Sequence, residues 1–292
     1  MPGPGQWFHS LRGNRVRPYT ALVAIGDLLR HWRSVRRLSQ LALALESGTT
    51  PRYVSFIETG RSQPSRAMVL RLARVLDVPI RERNQLLLAA GYAPLYPEAG
   101  LTGENAAHVR AALDRMLTTQ EPYPAVVMDR HWNILDGNAP AQALFAWLLG
   151  DRAGEDGANV LRLIFDPDGL RPCVENWEEA AEALVQRVHR EAVGGAPDAH
   201  TIALLDEVLA YPGVPSAWRV PDFALPLLPV VPVRFSRDGV VLSYFSTVTT
   251  LGTPQDAMLQ EIRVESFHPA DASTASAVPV PGSRSPAGTS AG

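Results

Sequence analysis

The side chains whose types and spacing could do chemistry in this chain are hydrogen-bond donors rather than nucleophiles. They lie in one stretch: Leu38-Ser39-Gln40, Leu43-Ala44, Gly48-Thr49-Thr50, Val54 and Ile57-Glu58-Thr59-Gly60-Arg61. Thr50, Pro51, Arg52 and Ser55 fall at the exposed N-terminal positions of a predicted helix. A guanidinium at Arg52 can donate bidentately to guanine, the commonest specific contact to a base edge. Gln40 opens the preceding predicted helix, where its side chain and a backbone N–H can reach a phosphate. Arg61 and Ser62, just past the second helix, suit the same role. Arg30, Arg36 and Arg37 either add phosphate contacts or only raise the local potential. Together these groups fit recognition of double-stranded DNA.

Catalysis and metal binding have no comparable constellation. Gly-x-Ser-x-Gly, the phosphate-cradling Gly-rich loop and Gly-x-Gly-x-x-Gly are all absent. The seven histidines are scattered without metal-ligand spacing. Glu178, Glu179 and Glu182 read as the solvated face of a helix, and His268 as a surface residue. Asp166-Pro167-Asp168-Gly169 starts like a calcium loop but lacks the rest of the ligand series, so it reads as a turn. Cys173 is the only cysteine, which rules out an intramolecular disulfide and reads as passive. We therefore expect no enzyme, no cofactor and no metal.

The donors need a scaffold, and the pattern supplies five short helices between Ile25 and Gly91. Ile25, Leu28, Leu29 and Trp32 make the apolar face of the first. Ser39 caps Gln40–Glu46, and Thr50 caps the next helix with Pro51 at its first position. Ser65 caps a fourth helix, and a fifth runs from Ile80. Ala44 must be small where the second and third helices cross, and Gly48 permits the turn between them. Val54 and Ile57 point inward, freeing the opposite face of their helix. Pro94 and Pro97 mark a linker.

Beyond it the periodicity changes. We expect a helix near Glu104–Thr119 and strands at Ala125–Met128 and Trp132–Leu135. A helix at Ala139–Leu149 and a loop at Asp151–Gly157 follow. A long amphipathic helix is predicted over Cys173–Val193 and another helix over Thr201–Ala210. Strands return at Leu228–Arg237, Val240–Leu251 and Leu259–His268. Helices beside an antiparallel sheet make an α+β domain.

Charge divides the chain in the same place. Residues 1–97 carry 14 Arg against five acids, a net +9, whereas residues 98–292 carry 13 Arg against 25 acids, a net −12. A basic front and acidic rear suit a polyanion-binding module joined to one that avoids the polyanion. All 27 basic residues are arginine, which reflects GC-rich coding rather than function. No apolar run reaches the ~18 residues of a membrane span, and the first twenty residues lack a secretory apolar region. A cytoplasmic protein is expected.

The segment from about Ile25 to Leu76 resembles the Xre/Cro helix-turn-helix family. By that resemblance Arg33 and Glu58 form an internal salt bridge, which makes Glu58 structural rather than DNA-facing. The wider chain resembles actinobacterial regulators with an MmyB-like, PAS-like ligand-binding domain. Glu121-Pro122-Tyr123-Pro124-Ala125, Asp129-Arg130-His131-Trp132-Asn133, Asn138-Ala139, Arg171-Pro172 and Glu175-Asn176-Trp177 carry that likeness. So do Leu242–Pro254 and Glu265-Ser266-Phe267-His268-Pro269. The resemblance implies a small apolar, fatty-acid-like effector, and Trp132, Phe145, Trp177, Phe235, Tyr244 and Phe245 are the candidates to line its pocket.

The expected organisation is a disordered arm at 1–20, an all-α helix-turn-helix domain at 21–97, a PAS-like α+β domain at 98–269 and a disordered tail at 270–292. Its expected work is sequence-specific DNA binding as a homodimer, controlled by the effector and without a membrane. The rival reading is a DNA-binding adaptor whose second domain recruits a protein and holds no ligand. A third is an enzyme with an attached DNA-binding head.

Overall fold

The computed structural model describes residues 24–98, 100–102, 106–150, 158–194, 199–221, 232–252 and 256–277, with backbone alone at 102 and 192–194. The predicted arm (1–20), the loop 151–157 and the start of the predicted strand at 228 lie outside these residues, as does the tail from 278.

Five helices build the first domain: α1 (Ile25–Val35), α2 (Gln40–Glu46), α3 (Pro51–Glu58), α4 (Arg66–Val75) and α5 (Ile80–Ala89). Three begin on side-chain caps. Ser39 accepts from Ala42 N, Thr50 from Tyr53 N and Ser65 from Met68 N, each giving an orphan amide of the first turn a partner. Leu29, Trp32, Leu43, Val54, Ile57, Leu72 and Leu86 share one core. Ala44 is fully buried within it, and Gly48 turns the chain at φ 65°. Gly26 has a role that periodicity does not reveal. A Cβ there would stand 2.6 Å from the carbonyl oxygen of Glu58 and 2.7 Å from that of Ile57, so only glycine lets α1 cross the end of α3.

In the second domain α6 (Ala106–Gln120) leads into β1 (Ala125–Met128), β2 (Ile134–Gly137) and α7 (Ala139–Leu149). Then come α8 (Val160–Phe165), α9 (Trp177–Gly194), α10 (Ala199–Val208), β3 (Val233–Arg237) and β4 (Val240–Thr250). The chain continues through α11 (Ala257–Gln260), β5 (Arg263–Pro269) and α12 (Ala272–Ala277). The strands make one antiparallel sheet in the order β2-β1-β5-β4-β3, so the last strand of the chain lies at its centre. All four residues of β1 are buried, because successive side chains serve opposite faces. Val126 and Met128 join the larger core with Leu148, Phe165 and Val185. Ala125 and Val127 meet Leu113 and Leu117 of α6 on the other side.

Several elements depart from the expected bounds, each for a visible reason. The long helix starts at Trp177, not Cys173. Residues 171–173 make a 3-10 turn and Val174 bridges Phe235, while Asn176 accepts from Arg234 N and donates to Pro232 O. Pairing with the edge of β3 outcompetes helical propensity there. The second strand starts at Ile134, because Trp132 has φ 66° in the preceding turn. The predicted strand at Leu259 begins instead as α11, capped by Asp256, and extends only from Arg263. Past Pro269, where disorder is expected, α12 forms. Asp271 caps it, and buried Thr274 accepts from Ser243 N at 2.8 Å. The helix α8 has no counterpart in the periodicity reading, because its six residues are too few to show a repeat. Among the described residues no helix is long and apolar enough to cross a membrane.

Candidate nucleic-acid interface and ligand cavity

The third helix is held from behind by a buried acid. Arg33 donates Nε to Glu58 Oε1 at 2.6 Å and Nη2 to Oε2 at 3.0 Å, while Gln40 Nε2 donates to Oε2 at 2.8 Å. Arg30 reaches the Glu58 carbonyl oxygen at 2.8 Å. Burial pushes the Glu58 carboxyl up, but the bonds from Arg33 and Gln40 outweigh it and hold the group below the usual carboxylate range. The bond to Glu58 raises Arg33 in turn. With Val54 and Ile57 fully buried, α3 is locked to α1 and α2 in both rotation and height.

The locked helix presents Thr50, Pro51 and Arg52 to solvent, with Ser55 half-buried beside them. Arg52 lies over the Phe56 ring, 5.2 Å from its centroid, one helical turn along. Arg61 is exposed and Ser62 half-buried, their backbone amides both closing onto Phe56 O at the end of α3. Gln40 lies at the same end of the motif, half-buried, with one amide hydrogen committed to Glu58. Two of the three remaining arginines have internal work. Arg36 donates to Leu76 O and Asp77 O at the end of α4, and Arg30 binds Glu58 O.

In the second domain a cavity of about 280 Å³ lies between the sheet and the helices. Trp132, Phe145 and Phe235 line it, with Leu163, Leu184 and Phe267 beside them. Trp177, Tyr244 and Phe245 do not. Trp177 donates Nε1 to Ile164 O and packs against Phe165, Trp218 and the Arg171 guanidinium, a structural cluster. Tyr244 packs edge-on against Phe267, and burial pushes its hydroxyl up to about 12. Phe245 faces the opposite side of β4 and stacks on His268.

The cavity also has a polar pole that composition could not locate. Glu265 from β5, Ser246 from β4 and Arg187 from α9 all line it. Burial pushes the Glu265 carboxyl up despite the Ser246 hydrogen bond and the nearby Arg187 and Arg263 charges. Arg187 and Arg263 both pair with Glu191 and both approach the Trp132 ring, at 4.7 and 5.5 Å from its centroid. Trp132 reaches this place through its turn. The Asp129 carboxylate accepts from His131 N, Asn133 N and Asn133 Nδ2, while Asn159 Nδ2 donates to His131 O and the Asn133 side chain. Within the motif Asp129-Arg130-His131-Trp132-Asn133, the Asp129 and Asn133 side chains thus hold the turn that places the indole in the cavity wall.

The linker is fastened rather than loose. Asn84 of α5 accepts from Leu95 N and Tyr96 N and donates to Tyr96 O, and Ala257 N donates to Pro97 O. Among the described residues no cluster of His, Cys, Asp and Glu could hold a metal ion. Asp166 accepts from Asp168 N in a simple turn.

Residues 24–86, which contain the locked α3, match a helix-turn-helix domain. Over 74 residues the chain is 39% identical to an uncharacterized HTH-type transcriptional regulator, RghRB, of Bacillus subtilis (strain 168). That alignment covers 25% of this chain and 51% of the relative, so the chain spans about half the length of the curated protein it matches. Residues 109–279, which contain the sheet and its cavity, match the MmyB-like transcription regulator ligand binding domain, and with more than half its length in that match the chain belongs to this family.

Proposed function

We propose that the chain is a sequence-specific DNA-binding transcription regulator of the Xre type, controlled by a small, largely apolar ligand in its second domain. The observation that carries this reading is the pairing of a braced recognition helix with a ligand-sized cavity in one chain. In the first domain Thr50, Pro51, Arg52 and Ser55 face the bases, and Gln40, Arg61 and Ser62 hold phosphates. The buried Glu58 carboxylate contributes by fixing α3 against its neighbours. In the second, a cavity of about 280 Å³ lined by Trp132, Phe145 and Phe235 takes the apolar body of the effector. A five-stranded antiparallel sheet with helices over the cavity supports the PAS-like reading, and the apolar lining supports a fatty-acid-like body. The protein works in the cytoplasm as a homodimer, since two copies read a palindrome with far greater affinity than one.

The test is selection of bound duplexes from random DNA by the purified full-length protein, repeated with the protein after extraction into organic solvent and refolding. An enriched palindromic site, an apolar compound found by mass spectrometry in the extract, and a change in site affinity on its return are expected. Absence of any enriched sequence overturns the DNA-reading half. An enriched site whose affinity ignores extraction and return overturns the control half, leaving the second domain as a protein-recruiting module.

A further inference from the structure

Between the two domains lies a cluster of charges used by neither the recognition helix nor the cavity. Arg81 of α5 donates Nε and Nη2 to the two carboxylate oxygens of Glu261, at 2.7 and 2.9 Å, and Nη1 to Glu98 at 3.1 Å. Arg130 donates to the same Glu261 oxygen that takes Arg81 Nε, at 2.9 Å. Beside it Ile80 N, the first amide of α5, donates to the Gln260 side chain at 2.8 Å. The side chains of Arg81, Arg130 and Glu261 are each less than one fifth exposed.

This cluster is attached to the cavity by two short, stiff segments. Arg130 precedes Trp132 by two residues in the turn that the Asp129 carboxylate holds. Glu261 precedes Glu265 by four, on the way into the central strand, where Val264 and Glu265 are paired to β1 in register. Close-packed interiors transmit displacement rather than absorb it. A shift of Trp132 or Glu265 therefore reaches Arg130 and Glu261 directly.

Arg130 also has a second place to go. It stands 3.8 Å from Glu82 Oε1, next to Arg81 on α5, while bonded to Glu261. Arg130 thus stands between two carboxylates, Glu261 at hydrogen-bond distance and Glu82 at ion-pair distance, an arrangement in which a small local shift can change which of them it bonds. Burial pushes the Glu82 carboxyl up, and the neighbouring Arg130 charge works against that rise.

We infer that Glu261, Arg130 and Glu82 form an ion-pair switch that carries occupancy of the cavity to α5, and so to DNA binding. Filling the cavity moves the turn that bears Trp132, Arg130 transfers from Glu261 towards Glu82, and Glu261 is left to Arg81 alone. The domains then re-seat around α5. Glu261 is a positioning residue that touches neither DNA nor ligand. This inference rests on the reading of the cavity as the effector site.

The experiment uses the full-length chain and its selected duplex. Ala180 and Ala183 of α9 line the cavity, so Ala183→Trp serves as a built-in occupant and Ala180→Leu as a milder one. Operator affinity is measured by fluorescence anisotropy, and melting confirms folding. Either filler is expected to change operator affinity at least fivefold, within the usual range of allosteric coupling of about 5–150-fold. Glu261→Gln, which releases Arg130, should itself shift affinity in the fillers' direction and should reduce the further effect of each filler to less than twofold, as a double-mutant cycle reads it. Glu82→Gln, which removes the acceptor that Arg130 would move to, should leave affinity within about twofold and also reduce each filler's effect to less than twofold. Arg81→Gln breaks the joint from the other side if Glu261→Gln does not fold. A filler effect that persists undiminished in these backgrounds overturns the switch while leaving control by the cavity standing. Folded fillers without effect in the unaltered chain overturn control by the cavity itself.

Discussion

Arg33 grips both carboxylate oxygens of Glu58 from across the first domain, at 2.6 and 3.0 Å, with the Glu58 side chain only 2% exposed. The pair buries an acid behind the helix proposed to face DNA. It is tolerable there because the carboxylate faces inward and is fully partnered.

Breaking this pair should therefore unfold the first domain more readily, not merely weaken DNA binding. Glu58→Ala leaves Arg33 and Gln40 without their acceptor, and removing one partner of a buried pair costs about 3–5 kcal/mol. Urea denaturation should show the loss. The folded state holds Glu58 below its ordinary value. Its contribution is thus complete above the unfolded value near 4.3 and is lost as pH falls through the lower folded value. The variant should accordingly lack the acid-induced destabilisation that Glu58 gives the parent chain.

Arg52→Ala tests readout separately from folding. The side chain is exposed and lies over the Phe56 ring, so stability should change by less than about 0.5 kcal/mol. Sequence preference should relax at one base position, at a cost of about 1–3 kcal/mol. A binding-site selection with preference unchanged at every position would remove Arg52 as a reader.

Asn138 offers a test of the second domain's framework. Its side chain accepts from Ala125 N and Ala141 N and donates to Leu117 O and Tyr123 O, so one amide joins α6, β1 and α7. Asn138→Ala strands several buried backbone groups, each worth about 1–3 kcal/mol. We expect calorimetry to show a melting temperature lower by about 5 °C or more.

Glu265 predicts the opposite sign. Its carboxyl is raised by burial, so its folded form favours the proton. Stability on its account is full below the unfolded value and is lost as pH rises through the raised folded one. Glu265→Gln keeps a group for Ser246 and removes the ionisation. Its melting temperature should exceed the parent's by about 2–4 °C at pH 8 and equal it at pH 4.

The legible parts of this molecule were those in which a short stretch specifies its own geometry. Ser39, Thr50 and Ser65 cap the helices they precede, Pro51 occupies a first turn and Gly48 a positive φ, all within a few residues. Val54 and Ile57 could be assigned inward from their spacing alone. The Arg33–Glu58 pairing needed more, since 25 residues separate the partners and only the family likeness suggested it. Among the aromatics, Trp132, Phe145 and Phe235 line the cavity while Trp177, Tyr244 and Phe245 serve the framework. Aromatic composition cannot separate these roles, because both consist of burying a ring.

What the sequence by itself determined was thus the helices of the first domain and the α+β character of the second, since caps, turns and apolar periodicity act over a few residues. What only the tertiary structure decided was where distant segments meet. It put the last strand at the sheet centre, Glu265 in the cavity, and Arg81, Arg130 and Glu261 together. Arg81 and Glu261 are separated by 180 residues, so no local pattern could have announced that they meet.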